Sequence, residues 1–301
     1  MTATGRFAGI ELGGTKAIAV IADGNRIVDR HVIATAAPSQ TLAALRARLD
    51  RWHAETPFDA LGIASFGPIQ LDPAHPDFGH ILATPKPGWA SAPVAATLTD
   101  GLACPWRIDT DVNGAALAEY RWGAGGQCSS LCYITIGTGL GGGVLIDGRP
   151  VHGAMHPEIG HLRLRRASGD TFAGSCPFHG DCIEGLVCGP ALRDRFGMNP
   201  ADAPDTHPVW RRVAADIAEL CGTILLTTAA QRILFGGSVI LSRPFLLPWV
   251  REMVVARLGT YLPFLDTASA ERLVQSAGLG AEAGPLGTIA LAQAALGQDD
   301  R

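Results

Sequence analysis

The sequence lacks three features that would direct the protein to a membrane, to secretion or to nucleic acid. No apolar run reaches the ~18–20 residues that a membrane-spanning helix needs. The segment from Met1 to Arg6 contains no apolar signal-peptide region. There is no basic excess, since 24 Lys and Arg stand against 28 Asp and Glu, giving a formal net charge of −4. We therefore expect a cytoplasmic protein with neither nucleic acid nor a membrane as a partner.

Charged residues are also sparse, at 17%, whereas hydrophobic residues make up 47% of the 301 positions. This balance excludes a disordered chain and predicts a sizeable core. The length suits two lobes of ~100–200 residues each. The seven cysteines are odd in number and unevenly spaced. In a reducing compartment, this favours metal binding or simple burial over a disulfide framework.

Predicted strands and helices alternate along the chain, which indicates an α/β fold. Two predicted β-hairpins share an unusual glycine spacing. Gly13 precedes Gly24 by eleven residues, and Gly137 precedes Gly148 by the same number. Because β-hairpins are common, the match can be coincidence. The equal lengths favour an internal duplication.

The turns that open these hairpins are candidate phosphate sites. The first reads Gly13-Gly14-Thr15-Lys16, and the second runs from Gly137 to Gly142. Glycine turns let backbone N–H groups converge on an anion, and a nearby lysine adds positive charge. Neither turn is a P-loop, because the Gly-x4-Gly-Lys-Ser/Thr pattern is missing. Either could be an ordinary turn. As a related pair, they could hold both ends of a triphosphate.

Asp111 follows a predicted strand and precedes a predicted helix over Val112 to Trp122. A carboxylate at such a position can accept a proton from a substrate hydroxyl. Asp and Asn are also ordinary helix N-caps, so spacing alone leaves both roles open.

A short segment carries the sharpest local signal, with Cys176, His179 and Cys182 as potential metal ligands and His161 upstream as a fourth. Structural zinc sites use four Cys or His ligands in a tetrahedron. The two-residue gaps would let the loop wrap around one ion. The alternative is a pair of buried thiols beside a surface histidine. We favour zinc.

Taken in order, the motifs resemble those of the ROK family, which contains sugar kinases and transcriptional repressors. The resemblance extends from about residue 7 to residue 290 and rests on two phosphate motifs, two sugar-side loops, a signature followed by the zinc region, and an adenosine motif. These segments are residues 9–16, 136–143, 62–68, 84–89, 158–185 and 235–238.

The resemblance implies an actin-like ATPase (ribonuclease H-like) fold with two lobes and a central cleft. Residues 1–111 plus 281–301 would form a small α/β lobe with a closing helix. Residues 112–280 would form a large α/β lobe with the zinc-binding loop. Mg²⁺ with ATP, a structural Zn²⁺ and a hexose would be bound. Members of the family are often dimers, so a homodimer is expected.

The resemblance also implies roles for individual residues. Asp111 matches the catalytic base. Glu11 departs from the family pattern, since many members carry Asp at this position, and its longer carboxylate would orient the magnesium through water. The matching ATP-binding positions are Gly13, Gly14, Thr15, Lys16, Gly137, Thr138, Gly139, Gly236 and Gly237. The matching sugar-binding positions are Gly67, Lys86, Asp111, Glu158, His161 and Glu184. The matching zinc ligands are His161, Cys176, His179 and Cys182.

Departures from the glucose-type pattern resemble the fructokinase branch of the family. They are Lys86, Thr110 before Asp111, the Cys-x2-His-x2-Cys spacing, and Met155-His156-Pro157 before Glu158. We therefore expect transfer of the ATP γ-phosphate to the 6-hydroxyl of D-fructose. A mannose or glucose kinase is the alternative enzyme.

Two roles outside catalysis are weighed against the kinase. A non-catalytic sugar sensor would not need Asp111 or two phosphate turns. The family's repressors carry an N-terminal helix-turn-helix domain. Here the first predicted strand starts near Phe7, so DNA binding is not expected.

Overall fold

A computed structural model describes residues 5–126 and 128–297 of the chain. The expectation about a leader at Met1 to Arg6, and the ends of the predicted small lobe, fall partly outside the described residues. Within those residues, none of the helices is long and apolar enough to cross a membrane.

Strands and helices alternate, as the α/β prediction requires. The strands are β1 (Arg6–Leu12), β2 (Lys16–Asp23), β3 (Arg26–Ala34), β4 (Ala60–Ser65), β5 (Trp106–Thr110), β6 (Ser130–Ile136), β7 (Leu140–Ile146), β8 (Arg149–Pro150), β9 (Arg232–Gly236) and β10 (Val274–Ser276). The helices are α1 (Pro38–Glu55), α2 (Val94–Thr99), α3 (Asp111–Trp122), α4 (Ile183–Val187), α5 (Gly189–Phe196), α6 (Pro208–Thr228), α7 (Ser238–Leu241), α8 (Leu246–Leu258), α9 (Thr267–Leu273) and α10 (Ala283–Ala295). Short 3₁₀ turns lie at Ile159–His161, Pro200–Asp202 and Gly280–Glu282.

The first sheet has the strand order β3-β2-β1-β4-β5. β1 pairs with β2 in antiparallel fashion and with β4 in parallel, and β4 pairs with β5 in parallel. Side chains of β1 alternate between two buried faces. Ile10 belongs to a core shared with α1, whereas Phe7 belongs to a core shared with α10. The carboxyl ends of β4 and β5 lie side by side, since Ser65 pairs with Thr110.

Glycines let α10 press directly onto this sheet and onto α3. A Cβ added at Gly62 of β4 would lie 1.8 Å from the carbonyl oxygen of Thr288 in α10. A Cβ added at Gly287 of α10 would lie 2.3 Å from the backbone of Gly114 in α3. A larger residue at either site would therefore displace the backbone. These contacts fix the position of α3, whose first residue is Asp111.

The second sheet repeats the topology of the first. Four of its strands lie in the order β10-β9-β6-β7. β6 and β7 form an antiparallel hairpin, and β9 and β10 follow in parallel. The same arrangement joins β1, β2, β4 and β5 in the first sheet. A hairpin followed by two parallel strands, found twice, supports the internal duplication that the glycine spacing predicts.

One predicted turn proved too long. The sequence predicts a turn over Gly137 to Gly142, but β7 already begins at Leu140. Gly141 and Gly142 are paired strand residues opposite Thr135 and Ile134. Gly142 serves close packing here, since a Cβ added at this position would lie 2.8 Å from the Ile159 side chain.

The described residues group into two compact units. Residues 5–126, 148–157 and 282–297 form the first, and residues 128–147 and 158–281 form the second. In this grouping α3 belongs to the first unit, whereas the predicted division after residue 111 assigns it to the other lobe. That division stays a prediction.

Candidate active site

The first glycine turn is closed from behind by Thr35. The Gly13 N–H donates to the Lys16 carbonyl at 3.0 Å, and the Thr35 hydroxyl donates to the Gly13 carbonyl at 2.8 Å. The Thr35 N–H donates to the Thr15 carbonyl at 3.0 Å. Gly14, Thr15 and Lys16 remain exposed. The turn is thus held in one shape with its outer face open. Sequence reasoning missed Thr35, which lies at the end of β3.

Lys86 reaches this turn from a distant loop. Its Nζ donates to the Gly14 carbonyl at 2.5 Å and lies 3.5 Å from the Thr35 carbonyl. The loop is anchored by Trp89, which is fully buried and whose Nε1 donates to the Ala36 carbonyl at 3.0 Å. The ammonium therefore adds positive charge to the first turn. The sequence assigns Lys86 to the sugar, and that role stays a prediction.

Glu11 presents a buried carboxylate near the same turn. Its Oε2 is buried without a hydrogen-bond partner among the described residues. A Cβ added at Gly284 would lie 2.3 Å from the Glu11 carboxylate. Burial raises the pKa of Glu11, against the opposing effect of Lys16 and Arg30. A cation would compensate the buried charge, and carboxylate oxygens are ligands that Mg²⁺ prefers. The residue therefore fits a magnesium ion.

Asp111 is the first residue of α3 and is half-buried. The N-cap of the helix is Thr110, whose hydroxyl oxygen accepts a hydrogen bond from the Asn113 N–H at 3.1 Å. The capping alternative therefore does not account for Asp111. Its Oδ1 accepts a hydrogen bond from the Val112 N–H at 2.9 Å. The helix N-terminus favours a negative charge here.

A buried carboxylate, Asp109, lies two residues earlier and only 1% of its side chain is exposed. It accepts hydrogen bonds from the Thr110 N–H and the Asn113 amide, both at 2.7 Å. The His152 Nε2 lies 3.1 Å from Asp109 Oδ2 and 3.2 Å from Oδ1. The hydrogen bond to Asp109 raises the pKa of His152. Sequence reasoning missed this pair. No local pattern points to it, since 43 positions separate the two residues.

His156, in the loop that resembles the fructokinase branch, is buried at 5% exposure. Its Nε2 accepts a hydrogen bond from the Ile69 N–H at 3.1 Å. Burial lowers the pKa of His156, which keeps the ring neutral and able to accept this bond. Ile69 follows Gly67, so the loop of Gly67 is tied to the segment that carries His152. Within the first unit, the segments of Gly67, Asp111 and His156 therefore lie together.

The second glycine turn is held by a carboxylate and a helix start. The Gly137 N–H donates to the Gly139 carbonyl at 2.9 Å, and the Gly189 N–H donates to the Gly137 carbonyl at 2.7 Å. Glu184 Oε2 accepts a hydrogen bond from the Leu140 N–H at 2.9 Å. Thr138 is exposed at the tip of the turn. The second turn is therefore also held by several hydrogen bonds, but these come from different groups.

The Gly236-Gly237 turn packs against the strand that leads into this turn. Gly237 has a φ of +82°, and a Cβ there would lie 2.3 Å from the Ile136 carbonyl oxygen. Only glycine fits both requirements. Within the second unit, the predicted ATP positions Gly137 and Gly237 are therefore neighbours.

Glu158 and Glu184 interact electrostatically in the second unit. Burial, and secondarily the charge of Glu184, raise the pKa of Glu158 to about 7. At neutral pH, Glu158 can therefore either donate or accept a hydrogen bond to a hydroxyl. The His161 N–H donates to the Glu158 carbonyl at 3.0 Å. The structure thus brings Glu158 close to Glu184 and joins the backbone of Glu158 and His161 in one turn, while their roles as sugar contacts stay predictions.

The predicted metal ligands form one cluster. The ligand atoms of His161, Cys176, His179 and Cys182 all lie within 4.8 Å of one another. Cys176 Sγ lies 3.8 Å from the Nδ1 atoms of both His161 and His179. Cys182 Sγ lies 3.7 Å from His161 Nδ1. Tetrahedral zinc with ordinary bond lengths places nitrogen and sulfur ligands about 3.6 Å apart. The cluster is therefore shaped to hold one metal ion.

The loop geometry and the thiol chemistry agree with this fit. Cys176 and Gly180 exchange backbone hydrogen bonds of 3.1 and 2.9 Å, which bend the chain into a tight knuckle. Burial raises the pKa of Cys182 to about 11. A nearby cation would be needed to stabilise the thiolate, which is the form that binds metals.

Comparison with known proteins identifies relatives along nearly the whole chain. The ROK family model matches residues 7–295. A fructokinase of Zymomonas mobilis is 39% identical over 296 residues, covering 95% of this chain and 96% of that protein. A fructokinase of Pediococcus pentosaceus is 39% identical over 290 residues, covering 95% and 97%.

Solved structures share the fold. A ROK hexokinase from Thermus thermophilus has a TM-score of 0.75 at 26% identity, covering 97% of this chain and 99% of that one. A ROK glucokinase from Streptomyces griseus, in complex with glucose and AMPPNP, has a TM-score of 0.73 at 23% identity, covering 96% and 100%. The predicted actin-like ATPase fold with two lobes is thereby confirmed. As the motifs predicted, the chain belongs to the ROK family.

Proposed function

We propose that this protein is a hexose kinase that transfers the γ-phosphate of ATP to the 6-hydroxyl of D-fructose, giving fructose 6-phosphate and ADP. The observation that carries the kinase activity is Asp111. It stands at the start of α3, at the sheet edge where β4 and β5 end and beside the Gly67 loop. Residues of this kind at that edge bind and activate substrates in α/β proteins.

The choice of fructose rests on the relatives. Curated fructokinases are 33–39% identical over most of the chain. Curated glucokinases of Halalkalibacterium halodurans and Streptomyces coelicolor match at 32% and 28% over only 52% and 65% of it. The buried hydrogen bond from Ile69 to His156 gives the loop before Glu158 a structural reason to differ from the glycine-rich glucose-type loop.

The chemistry follows from the groups in each unit. The Asp111 carboxylate accepts the proton of the 6-hydroxyl as its oxygen forms a bond to the γ-phosphorus, and the bond from that phosphorus to the ADP oxygen breaks. The backbone N–H groups of the turns at Gly13 and Gly137 bind phosphate oxygens, and Thr138 donates its hydroxyl to one of them. Gly236 and Gly237 lie against the adenosine. Magnesium, oriented by Glu11, supplies neutralisation of the phosphate charge.

Sugar recognition would come from Gly67 and Lys86 together with Glu158, His161 and Glu184. Carboxylates and an imidazole can each exchange hydrogen bonds with hydroxyl groups. Hexoses differ in only a few hydroxyls, so such contacts decide which hexose is used.

The metal in the Cys/His cluster would be a structural zinc ion. His161, Cys176, His179 and Cys182 supply four protein ligands, which leaves no open position for catalytic water. Binding to the metal would fix the ring of His161, which also contacts the sugar in this proposal. A homodimer, expected from the family resemblance, and a cytoplasmic location, expected from the sequence, complete the proposal; light scattering of the purified protein tests the dimer.

Zinc removal gives the first testable prediction. Cys182→Ser should lose the metal, lower the melting temperature by at least ~5 °C and weaken fructose binding, since zinc stabilises the loop that carries His161. Elemental analysis, a thermal melt and calorimetric titration with fructose measure the three effects. Cys104→Ser, outside the cluster, is the control and should change none of them. Retention of full zinc by Cys182→Ser would contradict the ligand set.

The experiment that tests the proposed function identifies the product. The protein is incubated with Mg-ATP and D-fructose, and the phosphorylated sugar is identified by ³¹P and ¹³C nuclear magnetic resonance. We expect fructose 6-phosphate with one ADP per sugar. Formation of fructose 1-phosphate would overturn the assignment of the attacking hydroxyl. Absence of any phosphosugar would favour a sugar sensor.

A further inference from the structure

His152 has one ring nitrogen in use and one free. Its Nε2 faces Asp109, at 3.1 Å from Oδ2. Its Nδ1 makes no hydrogen bond with any residue in the described part of the chain, and 36% of the side chain is exposed. The ring therefore contacts a buried carboxylate through Nε2, while part of the side chain remains exposed.

Asp109 fixes the state of the ring. A buried carboxylate beside a ring nitrogen requires the proton to sit on that nitrogen, so Nε2 carries hydrogen. In the neutral ring Nδ1 then presents a lone pair outward, and in the protonated ring it presents an N–H. Either form can exchange a hydrogen bond with a hydroxyl group.

The position of the ring ties it to the proposed reaction. Asn113, in the first turn of α3, donates to Asp109 at 2.7 Å and lies 3.4 Å from His152 Nε2. That same turn begins with Asp111. Four residues after His152, His156 binds the backbone of the Gly67 loop. The free nitrogen thus belongs to the cluster of segments around the proposed base.

Asp109 accepts two hydrogen bonds besides its contact with His152. The Thr110 N–H and the Asn113 amide both donate to Oδ1 at 2.7 Å each, whereas His152 Nε2 lies 3.1 Å from Oδ2. A histidine present only to neutralise the buried carboxylate would gain by burial, yet 36% of this side chain is exposed. The arrangement is typical of a side chain held in orientation for a ligand.

We propose that His152 is a sugar-binding residue, whose Nδ1 forms a hydrogen bond with a hexose hydroxyl other than the 6-hydroxyl, and that Asp109 orients it. The inference rests on the proposed function, because it assumes that a hexose binds with its 6-hydroxyl at Asp111. The proposal adds a contact between the sugar and the segment that precedes Glu158. Sugars that lack the contacted hydroxyl should bind more weakly, because they would leave Nδ1 without a hydrogen-bond partner.

The first test compares binding and kinetics of His152→Ala and His152→Gln with the unaltered protein. His75→Ala is the control, because His75 is an exposed histidine of the same unit that contacts Asp77. By calorimetry we expect His152→Ala to weaken fructose binding about 10-fold or more. We expect KM for fructose to rise, with kcat and KM for ATP within about 3-fold of the unaltered protein. His152→Gln should recover part of the loss.

The second test identifies the hydroxyl. Binding of 1-deoxy-, 3-deoxy- and 4-deoxy-fructose, and of 2,5-anhydro-D-mannitol, which lacks the 2-hydroxyl, is measured for the unaltered protein and for His152→Ala. The ratio of the two dissociation constants should fall to about 1 for the one sugar that lacks the contacted hydroxyl and stay high for the others. An equal ratio for all sugars would show that the substitution acts through general structure and would overturn the proposal.

A third measurement works even where His152→Ala does not fold. With ¹⁵N-labelled histidine in the unaltered protein, fructose should shift the Nδ1 resonance of His152 and leave that of His75 unchanged. An unshifted His152 resonance at saturating fructose would also overturn the proposal.

The outcomes separate this inference from the proposed function. If the unaltered protein fails with fructose but uses another hexose, the function is corrected and the same tests run with that hexose. If the unaltered protein binds no hexose, both the proposed function and the inference about His152 are wrong. If it phosphorylates fructose and His152→Ala binds fructose normally with an unchanged melting temperature, only the inference falls.

Discussion

The two glycine turns occupy equivalent places in the duplicated sheets but are held by opposite charges. In the first unit, the Lys86 ammonium donates to the Gly14 carbonyl. In the second, the Glu184 carboxylate accepts from the Leu140 N–H. The first turn thus has a cation beside it, whereas the second is braced by an anion. The two repeats therefore share the same backbone arrangement but differ in the charge of the side chain that supports the glycine turn.

The same divergence appears where the last parallel strand of each sheet ends. β5 is followed by Asp111, at the start of a twelve-residue helix. β10, its counterpart, is followed by Ala277. The carboxylate proposed as the base is therefore present in one repeat and missing from the equivalent position of the other. The two repeats share their topology, and the proposed base stands at a position where they differ.

The largest effect should come from Asp111→Asn. Without a carboxylate to accept the proton, kcat should fall about 10²–10⁴-fold while the melting temperature and zinc content stay unchanged. Steady-state kinetics by ADP release measures this. Ser276→Ala, at the end of the equivalent strand β10, is the matched control and should keep its kcat. A near-normal kcat for Asp111→Asn would remove Asp111 as the base.

Glu184→Ala should produce the next largest effect. It leaves the Leu140 N–H without its partner and loosens the second turn, so kcat/KM should fall about 5–100-fold. Glu184→Gln retains an acceptor oxygen and should recover part of the loss. Measured KM values for ATP and fructose show which ligand depends on this side chain. Normal kcat/KM for Glu184→Ala would refute the bracing role.

Lys86→Met tests the opposite charge at the first turn. If the ammonium assists phosphate binding, KM for ATP should rise by roughly 10-fold and more steeply at low salt, because the attraction is electrostatic. KM for fructose then changes less. The reverse pattern, with only KM for fructose raised, would support the sugar role that the sequence predicts for Lys86. An Arg51→Met variant, which removes an exposed cation of α1 in the same unit, is the control.

The smallest effect concerns stability and pH. The hydrogen bond to Asp109 raises the pKa of His152 above its ordinary value near 6.5. The folded state then holds a proton that the unfolded state releases. The contribution of this proton to the stability of the fold is complete below pH 6.5 and is lost as the pH rises through the folded pKa. Denaturant titrations should show that the free energy of unfolding declines over this pH range, and that it declines less in His152→Gln. An identical pH dependence of the free energy of unfolding in both proteins would contradict the assigned cause.

Much of the fold could be predicted from local patterns in the sequence. The helix predicted over Val112 to Trp122 corresponds to α3, which begins one residue earlier, at Asp111. Helix α8 (Leu246–Leu258) was missed because Pro248 and apolar residues on several faces obscure the helical period. The four residues predicted as metal ligands do lie in one cluster, and three of them were easy to group because they lie within seven residues; their role as ligands stays a prediction.

Contacts between distant residues explain what the sequence did not show. Lys86 meets Gly14 across 72 positions, and His152 meets Asp109 across 43. Neither pair shares a local period or motif, so only the folded chain brings them together. Thr35 was missed for the same reason, because it follows β3, whereas its partner Gly13 lies in the turn between β1 and β2.

The central claim is a kinase selective for fructose. The most direct measurement is kcat/KM by ADP release from Mg-ATP with fructose, glucose, mannose and N-acetylmannosamine, each tested separately. We predict the highest value for fructose. A higher value for another hexose would contradict the choice of substrate while keeping the mechanism, and no turnover with any of the four would contradict the kinase itself.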